Sequence, residues 1–271
     1  MRKSEFRTLI FEEAEPHIGL VTMNRPDQLN AINLDMLDDF RELFALLSED
    51  DQIRVIVITG AGRGFSSGAD LNDAVTHKDS GPFADPETFM RTVQESYGSL
   101  ILGMRKIPQP IIAAVNGPAA GGGFCMTLAS DIRIASPEAY FIASFINIGL
   151  SGGELGSSFL LPRLVGLSRA SDILYTGRKV TAEEAEKIGL VNKVVPREDL
   201  LEGALSYART MAGKSAAGLK LTKRVLEENL NAPSLETAVN LENRNQTIMI
   251  FSGEFFKLIN SFHKGEQAAA S

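Results

Sequence analysis

Residues 110–124 read PIIAAVNGPAAGGGF. The first six are apolar and too few for a helix, which predicts a buried strand; the glycine-rich turn after it opens a helix of small residues running to about Ser130. The same pattern occurs upstream, where Ile53-Arg-Val-Ile-Val-Ile-Thr59 reads as a second buried strand followed at once by GAGRGFSSGADL. Two strands that each deliver a flexible turn, alternating with helical segments, predict an α/β fold.

Outward from this pair, Phe6–Phe11 and Ile18–Met23 flank the polar EEAEPH and read as a β-hairpin. Asn33 is placed to cap a helix with apolar positions Leu34, Leu37, Phe40, Phe44 and Leu47. A loop, HKDSGPFADPETF, leads into a helix from about Glu87 to Met104. Ile132–Ala135 and Tyr140–Ala143 read as short strands, and GLSGGELGSS as a further turn. Thr181 with Glu184 forms a capping box, and helical patterns run from Asp199 to Lys214 and from about Ser234 onward.

The chain has 271 residues, 44% of them hydrophobic, enough for one sizeable core. Its formal charge of −7 and lack of a basic run argue against a nucleic-acid surface. One cysteine, Cys125, permits neither an internal disulfide nor a Cys-rich metal site. No stretch of about 18 apolar residues is present, so a soluble, cytoplasmic protein without membrane insertion or bound metal is expected.

Glycine admits positive φ and close ligand approach, so both turns are places where N–H groups can be aimed outward. Neither ends in the Gly-Lys-Ser/Thr of a P-loop, and the G-x-G-x-x-G spacing from Gly60 puts Phe65 at the third glycine. A serine-hydrolase elbow matches at Gly64-Phe-Ser66-Ser-Gly68 and again at Gly149-Leu-Ser151-Gly-Gly153. With Ser66 as nucleophile its base would have to be His77 or His263. The remaining reading is an oxyanion hole, in which preorganised N–H donors meet charge developing on a carbonyl oxygen.

The segments NRPDQLNAIN, GFSSGADL, AAVNGPAAGGGF, DIRIAS, LPRLVG and GRKVTAEEAEKIGLVNKVV closely resemble the crotonase superfamily, the enoyl-CoA hydratase/isomerase family. The resemblance spans about Thr8 to Pro196 and continues more loosely. It implies a β-β-α spiral core over residues 1–196 carrying the coenzyme A and active site, with a C-terminal helical oligomerisation region over 197–271 and a homotrimer or hexamer. It further implies an acyl-CoA thioester substrate, with coenzyme A part of that substrate and no tightly bound cofactor. Carried over by position, the oxyanion donors are the N–H groups of Ala69 and Gly122. Gln28, Leu29, Ala31, Ser67, Asp70 and Leu71 would lie along the substrate, joined by Gly121, Cys125 and Phe145. A cationic residue would meet the CoA phosphates, with Arg25, Lys257 and Lys264 as candidates among which the sequence does not choose.

The chain departs from the family where its hydratases carry two glutamates: Cys125 and Phe145 occupy those positions, and neither can do carboxylate acid/base work. Glu154 falls near the catalytic aspartate of the family's dienoyl-CoA isomerases. Two readings of it stand open, a proton-transferring group and an acid charging the first turn of the next helix; Asp131 is a weaker carboxylate candidate, expected rather to support the fold. The leading expectation is double-bond isomerisation through Glu154 rather than hydration. The alternatives are a non-catalytic acyl-CoA binder and a serine hydrolase using Ser66.

Overall fold

A computed structural model describes residues 3–72, 81, 84–256 and 259–260. Strands β1 (Lys3–Glu5), β2 (Leu9–Glu15), β3 (Ile18–Met23), β4 (Val55–Gly60) and β5 (Ile111–Val115) form most of the main sheet. A smaller sheet contains β6 (Pro118–Ala120), β8 (Tyr140–Ile142) and β9 (Val180–Thr181), while β7 (Ile132–Ala135) and β10 (Lys193–Val194) complete the main one. Main-sheet order is β1-β2-β3-β4-β5-β7-β10, antiparallel through β1, β2 and β3 and parallel from β3 onward. The α/β expectation is met.

The run Val55–Ile58 is buried on both faces, as an interior parallel strand must be. Successive side chains alternate sides. Ile56 and Ile58 join the core beneath helix α1 (Leu34–Ser48), with Met36, Leu37 and Phe40. Val55 and Val57 face the other way, with Ile112, Ala114 and helix α8 (Leu200–Ala212). Leu200, Ala204, Ala208 and Ala212 recur every fourth residue and are all buried, so a strip of small side chains brings that helix close to the sheet. The first helix after residue 196 therefore shares the core of the preceding residues.

Helix α1 begins where Asn33 predicts: its Oδ1 accepts the Met36 N–H at 3.0 Å. The hairpin differs from its expected bounds. Strand β2 continues through Glu12 and Glu13 to Glu15 with a register shift between Glu13 and Glu15, leaving Pro16-His17 as the turn, with His17 at φ 70°. A bulge absorbs the polar residues that the sequence reading assigned to the loop.

The helix expected over 87–104 is composite. Helix α2 (Pro86–Phe89), capped by Asp85, passes into a π turn (Met90–Gln94) and then helix α3 (Glu95–Lys106). Next come α4 (Gly122–Ala129), α5 (Ser157–Val165), α6 (Leu167–Thr176) and α7 (Ala182–Lys187), the last capped by Thr181 as expected. After α8 come α9 (Ala216–Asn229), which no sequence pattern singled out, and α10 (Leu235–Phe251). Among the described residues no helix is long and apolar enough to cross a membrane.

Candidate active site

The two glycine turns are stitched together by backbone. The N–H groups of Phe65 and Ser66 both donate to Pro118 O, at 3.0 and 3.1 Å, and Ala120 N–H donates back to Ser66 O at 2.9 Å. Glycine is required at the crossing. A Cβ on Gly123 would sit 2.4 Å from Ser66 O. One on Gly68, which has φ +91°, would sit 2.7 Å from Ala120 O and 3.1 Å from Gly122 N.

A parallel bridge then aims Ala69. Ile32 N–H donates to Gly68 O at 2.7 Å and Asp70 N–H donates to Ile32 O at 2.9 Å. In that pattern the N–H of the intervening Ala69 points away from Ile32. Across from it, Gly121 at φ +51° turns the chain into α4, whose first residue is Gly122. First-turn N–H groups of a helix have no carbonyl partner within it and carry its positive end. Two main-chain donors from separate turns thus border one space.

That space is a cavity of about 430 Å³, lined by Ser67, Ala69, Asp70, Leu71, Gly121 and Gly122, and by Phe145 and Glu154. Its remaining wall is largely apolar, formed by Leu34, Phe89, Val93, Ile148, Leu150 and Leu155, which suits an apolar ligand with one polar centre. Eight of the residues marked in the sequence therefore meet here.

Of the two carboxylates lining the cavity among the described residues, Asp70 is committed: its Oδ2 lies 2.9 Å from Arg25 Nη2, with both side chains largely buried. Glu154 meets no cation among the described residues. Gln94 Nε2 donates to Glu154 Oε1. Its backbone serves the following helix, with Glu154 N–H donating to Ser157 Oγ at 3.0 Å and Ser157 N–H to Glu154 O at 2.9 Å. The two readings of Glu154 therefore divide between its atoms: main chain at the helix start, carboxylate in the cavity.

Cys125 is wholly buried behind the wall, its thiol directed to Glu154 O at 3.5 Å. Burial, reinforced by the charge of Glu154, pushes that thiol well above its ordinary range, so it stays protonated. Asp131 immediately precedes β7 and lies beside the start of β5, where Oδ2 accepts Ile111 N–H at 2.7 Å and pairs with Lys223 at 3.2 Å. That is the fold-supporting role expected of it.

The segment before α1 folds back on the first turn. Leu29 and Asn30 both have positive φ, and the buried Asn30 amide donates to Ala61 O and Gly64 O, each at 2.9 Å. Ser67 N–H donates to Leu29 O at 3.0 Å, which brings exposed Gln28 and half-buried Leu29 beside the cavity mouth without lining it. Ala31 is buried, its carbonyl taken by Arg25 Nη1. Arg25 is thus engaged by Asp70 and Ala31. Lys257, Lys264, His77 and His263 lie outside the described residues.

Ser66 does not suit a nucleophile: it is 0% exposed and its hydroxyl donates to Asn30 O at 2.8 Å. Conversely, the sequence reading overlooked Gln94 and Tyr97, which also line the cavity.

A profile of the enoyl-CoA hydratase/isomerase family matches residues 13–267. A probable enoyl-CoA hydratase of Mycobacterium bovis is 47% identical over 249 residues, covering 90% of this chain and 85% of that protein. The 1,2-epoxyphenylacetyl-CoA isomerase of Escherichia coli K12 is 34% identical, covering 93% and 94%. The crystal structure of a monofunctional enoyl CoA isomerase from M. smegmatis superposes with a TM-score of 0.73 at 43% identity, covering 86% of this chain and 98% of that one. With the fold, the paired turns and these relatives in agreement, the chain belongs to the enoyl-CoA hydratase/isomerase family.

Proposed function

We propose that the cavity binds the acyl part of a coenzyme A thioester, that the Ala69 and Gly122 N–H groups receive the thioester oxygen, and that Glu154 moves a proton to shift a double bond. The observation carrying this reading is that one apolar cavity holds both turns and, among the described residues, a single carboxylate without a cationic partner.

The chemistry follows from that count. In a 3-enoyl thioester, Glu154 takes a proton from C2; the C2–H electron pair moves into the carbon framework and onto the thioester oxygen, where two N–H donors stabilise it. The protonated carboxyl then returns its proton at C4 as the double bond settles between C2 and C3. One carboxylate suffices, because it acts first as base and then as acid. Hydration must also activate and position a water, and the buried protonated Cys125 and the phenyl ring of Phe145 offer no second base.

The relatives carry hydratase and isomerase names alike, so the reaction is decided by assay. A panel of 2-enoyl, 3-enoyl and dienoyl thioesters, run on wild type and Glu154→Gln, should show double-bond migration in wild type and a loss of about 10²- to 10⁴-fold in the variant. Hydration that survives the substitution would defeat the assignment of Glu154. Tight coenzyme A binding without turnover would favour a non-catalytic binder. Of the segment from residue 197 on, the part beyond the core-packed α8 is read as the assembly region of a cytoplasmic trimer or hexamer, supported by exposed apolar residues Leu235, Ile248 and Phe251 on α10; light scattering on the intact chain tests that.

A further inference from the structure

We propose that Gln94 is the positioning residue for Glu154, and that the helix carrying it braces both the proton-transferring group and the Ala69 turn. The proposal rests on the assignment of Glu154 above and adds to it a residue lying 60 positions away in the chain.

Four observations converge. Gln94 Nε2 donates to Glu154 Oε1, and both residues line the cavity. Gln94 is the last residue of the π turn Met90–Gln94. In a regular α-helix Phe89 and Gln94 would stand about 140° apart around the axis; the wider π turn returns the fifth residue toward the same side, and both line the cavity. Three residues on, Tyr97 Oη donates to Ile32 O at 2.6 Å, the carbonyl that also accepts Asp70 N–H beside Ala69. Finally, the Cys125 thiol reaches the Glu154 carbonyl, so the residue is held at main chain and side chain alike.

The donor's chemistry fits the task. A glutamate has three side-chain torsions to fix, and an amide N–H fixes them through one oxygen while leaving Glu154 Oε2 without a protein partner among the described residues. Being neutral, the amide does not bind the carboxylate as a guanidinium would, in contrast to Arg25 on Asp70. The carboxylate stays oriented and free to exchange a proton.

The test is a double-mutant cycle with a 3-enoyl-CoA thioester. Gln94→Leu should lower kcat about 10- to 100-fold, the span of one hydrogen bond to a charged group, with KM changed less than about twofold. The isosteric Gln94→Glu, which keeps shape but replaces the donor with a like charge, should lose at least as much. In the Glu154→Gln background neither substitution should cost anything further. Equal losses in both backgrounds, or a loss confined to KM, would overturn the proposal while leaving the Glu154 assignment intact; full activity of Glu154→Gln alone would overturn that assignment instead. A readout independent of turnover is the Gln94 side-chain amide resonance in ¹⁵N-labelled protein, expected to move on Glu154→Gln. An unmoved resonance would also overturn the proposal.

Discussion

Arg25 and Asp70, 45 positions apart, form an ion pair at 2.9 Å beneath the rim of the cavity, and the same guanidinium also holds the Ala31 carbonyl. The pair ties the segment before α1 to the residue next to Ala69. Arg25→Met should therefore act on stability first, leaving Asp70 charged and enclosed, at a cost of about 1–3 kcal/mol given the partial exposure of the guanidinium. Thermal unfolding of Arg25→Met, Asp70→Asn and the double variant measures it. The double variant should lose less than the sum of the singles, and coenzyme A affinity should follow fold integrity rather than the charge alone.

Gly68→Ala should damage catalysis beyond its effect on folding. The new methyl would meet Ala120 O at 2.7 Å, at a φ of +91° that L-residues rarely adopt, forcing the two turns apart. Displacing one N–H donor from a developing oxyanion costs about 10²- to 10³-fold in kcat. Steady-state kinetics on a variant confirmed as folded by circular dichroism is the check, and an unchanged kcat would deny the turns their role.

Cys125 should resist alkylation. A wholly buried thiol whose burial, with the nearby Glu154 charge, favours the protonated form presents little thiolate to iodoacetamide at pH 8. Intact-mass spectra should show no adduct in native protein and one after unfolding in urea.

Lys223 is buried, with Nζ donating to Met104 O at 3.0 Å and Gln109 O at 2.8 Å. Burial lowers its proton affinity below that of an exposed lysine, against the pull of Asp131. Between the lowered folded value and the ordinary 10.5, the unfolded chain holds the proton and the folded one does not, so this group makes stability rise with pH, by at most about 1.4 kcal/mol per unit. Below that window both states are protonated and the contribution is flat. Urea unfolding of wild type and Lys223→Met at pH 7 and 10 should show the wild-type advantage growing toward the higher pH.

Much of this was legible in the chain because its signals are local. The buried runs at 55–58 and 111–115, the Asn33 and Thr181 caps and the two glycine turns each announce themselves within a few residues. The eight marked residues that line one cavity were carried over from the family resemblance rather than from local signals: four neighbours around Ala69, two around Gly122, plus Phe145 and Glu154. What stayed hidden depends on distant partners. The π turn at 90–94 has no composition of its own, Gln94 gains meaning only from Glu154, and Arg25 reads as a spare cation until Asp70 is brought to it. Helix α9 escaped notice because Lys223, a charged residue, is its fully buried member, satisfied by carbonyls from elsewhere in the fold.

The stitching of the two turns through Ser66 and Ala119 has an evolutionary corollary. Donors made of main chain carry no side-chain identity that a point mutation could exchange, so drift at Ala69 or Gly122 is limited by volume alone. The carboxylates have no such protection. On the proposed reading of Glu154, a lineage built on this scaffold could trade one reaction for another by moving its acids among positions such as 125, 145 and 154, while the paired turns stay as they are.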